Sequence, residues 1–174
     1  MSKWLDKVRL VVTTKDIANA GTDDRIDLEY FLDNEWKSER LNHAWDDRER
    51  GRTEMYEVEI EPPDLVNSTD PPGYPLDNWS DVKQTRFRLR THGNDAWLID
   101  CYFLLGHFYG AGATLTQPKE DLGWHLMAYT DGDVWMSTDN SEGRELLDIE
   151  INGPLPSDRG FLPWLIGIFS FSKE

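Results

Sequence analysis

Glu54-Met55-Tyr56-Glu57-Val58-Glu59-Ile60-Glu61 interleaves apolar and aromatic residues with glutamates, and Pro62-Pro63 stops the run. Successive side chains of an extended chain point to opposite faces, so this pattern predicts a half-buried strand with an acidic exposed face. The prolines end it because they have no N–H to continue a ladder. Towards the N-terminus the same period recurs. Val8, Leu10 and Val12 alternate with Arg9, Val11 and Thr13; Ile26, Leu28 and Tyr30 are set against Asp27, Glu29 and Phe31; residues 36–41 give a third strand. Towards the C-terminus, Phe87 and Leu89 stand between Arg86, Arg88 and Arg90, and these arginines are expected to pair with the glutamates of the 54–61 strand. Residues 96–106 form a denser run, Trp97-Leu98-Ile99-Asp100-Cys101-Tyr102-Phe103 at its centre, expected as a central strand covered on both sides. Residues 123–130, 134–136 and 146–151 supply the rest.

Short strands between Gly, Pro, Asn and Asp turns, without a long amphipathic helix, predict an all-β antiparallel sandwich of about eight strands with long loops. Residues 69–81 hold four prolines or glycines and several turn formers and are expected as a long surface loop. The sandwich is expected over residues 1–151. Residues 152–174 form a C-terminal extension, a Gly-Pro-rich hinge followed by the apolar run 161–171.

Charge removes several functions. The 174 residues carry 33 acidic and 18 basic side chains, a net charge of -15, which would repel a phosphate backbone and excludes nucleic acid as partner. The same charge opposes a bare anionic membrane unless a cation sits between the two surfaces. A single cysteine, Cys101, excludes a disulfide framework and a Cys-rich metal site, and its apolar strand marks it as structural. His43, His92, His107 and His125 lack the spacing of an HExxH site, and neither a Gly-x-Ser-x-Gly elbow nor a phosphate-binding glycine loop occurs, so a non-enzyme is expected. Residues 1–14 are not expected to act as a Sec signal, and the run 161–171, interrupted by Pro163, is shorter than the roughly 20 apolar residues of a spanning helix. The expected location is cytoplasmic, or exported by another route.

The stretch with most chemistry is Asn19-Ala20-Gly21-Thr22-Asp23-Asp24, between the first two strands. Read alone it has two uses: glycine and aspartate as ordinary turn chemistry, or carboxylates gathered for a cation. The succession of a strand, Ala20-Gly21-Thr22-Asp23-Asp24, an alternating strand, a polar loop ending Arg50-Gly51, the Glu-rich strand and Asp95-Ala96-Trp97-Leu98 resembles the PLAT/LH2 domain. The likeness extends to the calcium- and membrane-binding C-terminal domain of clostridial alpha-toxin phospholipase C. It covers residues 7–108 well and 122–151 loosely.

The resemblance implies calcium and a set of ligands. One site would use Asn19, the Gly21 carbonyl, Asp95 and the Ala96 carbonyl; a second the Thr22 carbonyl, Asp24, Asp46 and Asp47. A third would draw on Asn42, His43, Trp45 and Asp47. Asn19 stands where the family pattern has aspartate, which removes a ligand charge, and Trp45 stands where a glycine would ease the turn. A calcium at a loop tip can accept lipid phosphate oxygens while tryptophans settle at the interface, and Trp45 and Trp79 are the candidates for that role. Trp97 is assigned to the core. The expected function is a non-catalytic, calcium-dependent module binding a phospholipid membrane surface or a partner protein. The alternatives are glycan binding through exposed aromatics, and protein interaction through residues 161–171, which are expected to pack on their own sheet or to join a partner chain, a homo-oligomer included.

Overall fold

The computed structural model describes residues 3–32, 34–43, 48–60, 73–110 and 120–155. Among them ten strands and one helical turn follow in the order β1 (Lys3–Thr14), β2 (Ile26–Leu32), β3 (Glu35–Leu41), β4 (Thr53–Glu59), β5 (Tyr74–Leu76), α1 (Trp79–Val82), β6 (Arg86–Thr91), β7 (Trp97–Gly110), β8 (Glu120–Thr130), β9 (Val134–Met136) and β10 (Leu146–Ile149). One sheet runs β4-β1-β7-β8, with β5 paired to β1 and β9 to β7; the other runs β10-β6-β2-β3. Every strand pair is antiparallel. The expected sandwich is the architecture found.

Period-2 patterning sets which face is core. Leu10 and Val12 of β1, Leu28 and Tyr30 of β2, Leu89 of β6 and Trp97, Ile99 and Leu104 of β7 are buried in one cluster between the sheets. Trp97 is fully buried, as expected, and its indole N–H donates to Thr14 Oγ1 at 2.9 Å, so a core aromatic also satisfies its polar atom. In β4 the alternation holds with one reversal. Glu57 and Glu59 face outward, but Glu54 lies inside with Tyr56 and Val58, and Met55 is 50% exposed. Glu54 is tolerated there because it accepts from the Arg48 backbone N–H at 2.6 Å and the Tyr56 hydroxyl at 2.9 Å.

Three further expectations change. Residues 69–81 are not one loop: Tyr74–Leu76 pairs with Lys3–Leu5, and Asn78 caps α1, accepting from the Ser80 and Asp81 N–H groups. The central strand β7 lies between β1 and β8 but is not covered on both sides, since Phe103 is 41% exposed and Cys101 is half-buried. Arg88 and Arg90 pair with Glu29 on neighbouring β2, and Arg90 also with Glu145, because β4 belongs to the other sheet. Arg86 and Arg88 lie over the rings of Phe31 and Trp36. The glutamates of β4 are met by β1, where Lys7 and Arg9 pair with Glu57 at 3.1 and 2.7 Å.

The extension begins attached. Asn152 brackets Tyr129 with its side chain, accepting from the backbone N–H and donating to the carbonyl, and the Gly153 N–H donates to the Met127 carbonyl. Residues 161–171 lie outside the described residues.

Candidate functional site

Three connections meet at one end of the sandwich: residues 15–25 after β1, the described residues 48–52 before β4, and residues 92–96 before β7. Backbone bonds lace them together. The Leu98 N–H donates to the Ala20 carbonyl at 2.9 Å, the Thr22 N–H to the Arg48 carbonyl at 3.4 Å, and the His92 N–H to the Arg25 carbonyl at 3.0 Å. Asn19 adopts a left-handed φ of 62°, a conformation that asparagine, like aspartate, reaches more readily than most residues. Gly21 is required by space, because a Cβ there would come within 2.8 Å of the Arg48 carbonyl oxygen.

This lacing places the first ligand set around two adjoining open depressions. Asn19, Gly21, Thr22, Asp23, Glu49, Arg50 and Asp95 line one of about 210 Å³. Asn19, Asn94, Asp95, Ala96, Trp135 and Glu142 line the other, of about 440 Å³. Asn19 and Asp95, 76 positions apart in the sequence, thus share both hollows.

The aspartates are also turn formers. Asp24 Oδ2 accepts the Asp95 N–H at 2.7 Å, Asp95 Oδ2 accepts the Asp23 N–H at 3.2 Å, and Thr22 Oγ1 donates to the Asp95 carbonyl at 2.9 Å. Gly93 makes room: a Cβ on it would overlap the Asp24 carboxylate. Amide, carboxylate and carbonyl oxygens suit a hard cation in donor type. In charge they fall short of a preformed site, since no three His, Cys, Asp or Glu among the described residues stand where they could hold a metal ion. Asp46 and Asp47, which would add charge, and Trp45 lie outside the described residues. Asn42 is exposed, its side-chain amide donating to the His43 carbonyl at 2.9 Å, and His43 stacks on Tyr56.

Trp79 corrects an expectation. It is 7% exposed, sits edge-on to Phe108 and His125 with ring centroids 4.9 Å away, and anchors α1 inside the core, not at an interface. The histidines serve structure: His92 contacts Asp27 at 2.9 Å and His107 contacts Asp6 at 2.7 Å and Asp121 at 3.1 Å.

The organiser of this end is a residue that sequence reasoning missed. Arg48 is 3% exposed and holds a left-handed φ of 61°. Its guanidinium donates to the Leu41 carbonyl at 3.1 Å and the Asp24 carbonyl at 3.2 Å, while its N–H meets Glu54. One residue thereby ties the end of β3 and the first loop through its side chain and the start of β4 through its backbone N–H. Nothing periodic marks it; the one available signal is an arginine in a polar loop just before a strand that carries a glutamate on its inner face.

Fold and site together define an antiparallel β-sandwich with a loop-borne oxygen cluster at one end. The solved structures with this fold include the alpha-toxin of Clostridium absonum, at 15% identity and a TM-score of 0.54 over 83% of this chain. They also include the alpha-toxin of an avian strain of Clostridium perfringens, at 12% identity and a TM-score of 0.56 over 84%. The chain spans 31% and 32% of those toxins, so the likeness is to a part of each and is one of fold. No protein-family profile matches the chain. No curated protein matches it by sequence. Among the described residues no helix is long and apolar enough to cross a membrane.

Proposed function

We propose that the chain is a non-catalytic binding module whose loop end meets a phospholipid surface or a partner protein with calcium between the two. The observation that carries this reading is the convergence of Asn19, Gly21, Asp95 and Ala96, the first ligand set, around hollows shared by two distant loops. Asn19 and Asp95 would contribute side-chain oxygens, Gly21 and Ala96 carbonyls, and Asp46 and Asp47 further charge to the neighbouring set. Calcium held there supplies open coordination positions for phosphate or carboxylate oxygens of the partner. The protein's own part is to hold these oxygens in place: the Leu98–Ala20 and Thr22–Arg48 backbone bonds fix the first loop against β7 and residue 48. A net charge of -15 makes a bridging cation the natural route to an anionic surface.

Calorimetric titration of the chelator-treated protein tests this, with Asp95→Asn as the variant, which keeps an acceptor for the Asp23 N–H and removes the charge. Saturable calcium binding that the variant weakens, and calcium-dependent pelleting with phosphatidylserine vesicles, are the expected results. Absence of saturable heat at millimolar calcium would reduce Asp24 and Asp95 to turn formers and end the calcium reading.

A further inference from the structure

The inner faces of the sheets account for the core, so the outer face of β4-β1-β7-β8 should be polar. It is not. Met55 pairs with Val11, Val11 with Phe103 and Phe103 with Tyr129, which sets four apolar or aromatic side chains in one row across all four strands. Met55, Phe103 and Tyr129 are 50%, 41% and 45% exposed, three of the four exposed large hydrophobics among the described residues. Two positions along, past a bulge that shifts the register, Leu105 faces Leu126 and both are half-buried. Of the ionic groups on this face, Lys7 of β1 pairs with Glu57 and Glu59 of β4, and Arg9 pairs with Glu57 while its guanidinium lies over the Trp124 ring of β8 at 4.0 Å, so charge flanks the apolar row on one side only. A contiguous apolar row of this kind marks a contact surface.

We propose that this face is a docking surface and that its occupant is residues 161–171 of the same chain. The described chain ends at Leu155, next to Gly153, whose N–H bonds the Met127 carbonyl of β8, the strand at the border of the face. From Leu155 to residue 161 an extended chain reaches roughly 20 Å. The row from β8 to β4 crosses three strand spacings, about 14 Å, so the whole of it is within reach. The segment Phe161-Leu162-Pro163-Trp164-Leu165-Ile166-Gly167-Ile168-Phe169-Ser170-Phe171 carries no charge and therefore leaves no ion to be desolvated against the row. A tether of a few residues also gives it an effective concentration near millimolar. A second copy lacks that advantage and brings another -15 of charge.

Phe103→p-benzoylphenylalanine in the full chain, irradiated at low micromolar concentration, reads the occupant directly. The expected product is a monomer with position 103 joined to a peptide from residues 161–171. Cross-linked dimers would assign the face to a second copy, and a monomer joined nowhere in 161–171 would leave it to another partner; either overturns the proposal. Cys101, half-buried on the same strand two residues from Phe103, gives an independent reading by its alkylation rate. In the double variant Trp164→Asp, Ile166→Asp that rate should rise about tenfold, the protection lost when a cover present some nine-tenths of the time is removed. An unchanged rate would refute docking whether or not the photoproduct forms.

Discussion

Replacing Arg48 by methionine keeps most of the side chain's bulk and removes only the guanidinium. Two carbonyls, those of Leu41 and Asp24, then lose charged donors at 3.1 and 3.2 Å. Hydrogen bonds to charged groups contribute about 1.5–3 kcal/mol each, and a buried acceptor left unmet costs about 1–3 kcal/mol. The Leu41 contact is buried and should cost near the top of that range; the Asp24 carbonyl is partly exposed, so water recovers some of its loss. The left-handed backbone at residue 48 is kept by the surviving N–H bond to Glu54, so its strain stays in the variant. The sum is roughly 3–4 kcal/mol, read as a shift of the urea midpoint at unchanged slope. Arg50→Met is the matched control, because Arg50 is exposed in the same loop and should move stability by less than about 0.5 kcal/mol. Equal and small losses for the two variants would refute the claim that Arg48 organises the loop end.

Trp97→Ala should cost roughly 3–5 kcal/mol in denaturant unfolding, since the ring is fully buried and Thr14 loses its donor. Gly93→Ala should displace the Asp24 carboxylate and lose about 1 kcal/mol with its bond to the Asp95 N–H; if so, adding Asp24→Ala to it costs less than Asp24→Ala alone, and strict additivity would count against the contact. Burial holds the His125 pKa below the usual histidine range, outweighing the Leu122 carbonyl bond, with His107 adding to the lowering. Its folded-state pKa is therefore depressed, so its contribution is full above the unfolded value of about 6.5 and lost as pH falls below it; the melting temperature should drop across that window, and less steeply in His125→Phe. Asp27 gives a second, more acidic phase: burial raises its pKa, but bonds from Arg25, His92 and Ser38 outweigh that and hold it low. Its stability is present above the unfolded carboxylate value of about 3.9 and lost as pH falls through the folded one, a phase that Asp27→Asn should abolish in calorimetric melts.

Strands were legible in the sequence wherever the period of two ran for several residues, as in 8–13, 26–31 and 86–90. The pattern carries only which residues share a face. It does not say which strand lies alongside, and so Arg88 and Arg90 were matched to the glutamates of β4 when Glu29 of β2 is their neighbour. Strand β5 escaped because three residues around Pro75 show no period, and an edge strand tolerates a proline that a central one would not. Trp79 read as a surface group inside a polar stretch; Asn78 turns it inward by capping the helix on which it sits. At the site, it was the resemblance to the PLAT/LH2 domain that implied a link between residues 19–24 and 95–96, and hydrogen bonds do join the two loops. Arg48 was invisible because its partners are carbonyls 7 and 24 positions away, and a backbone acceptor leaves no mark in the sequence.

If calcium binds as proposed, the bonds among the loop aspartates set how strongly it would act. A carboxylate oxygen has two lone pairs, so Asp24 and Asp95 can each accept an N–H and still face a cation. Their N–H partners then order the loops before any metal arrives, and the metal-free protein should already be folded. Binding linked to a folded state adds RT ln(1 + [L]/Kd), about 1.4 kcal/mol at ten times Kd. For a domain of this size that is roughly 3–6 °C in melting temperature. A loop end built by the cation would behave differently: the amides of Thr22, Asp23 and Asp95 would exchange freely in chelator, and calcium would raise the melting temperature far beyond that range. Hydrogen exchange at those amides, measured with and without calcium, separates the two. Protection that appears only with calcium would contradict the turn bonds described here, whereas protection in both states joined to a shift of a few degrees would mean that the fold prepares the ligands and the cation only completes them.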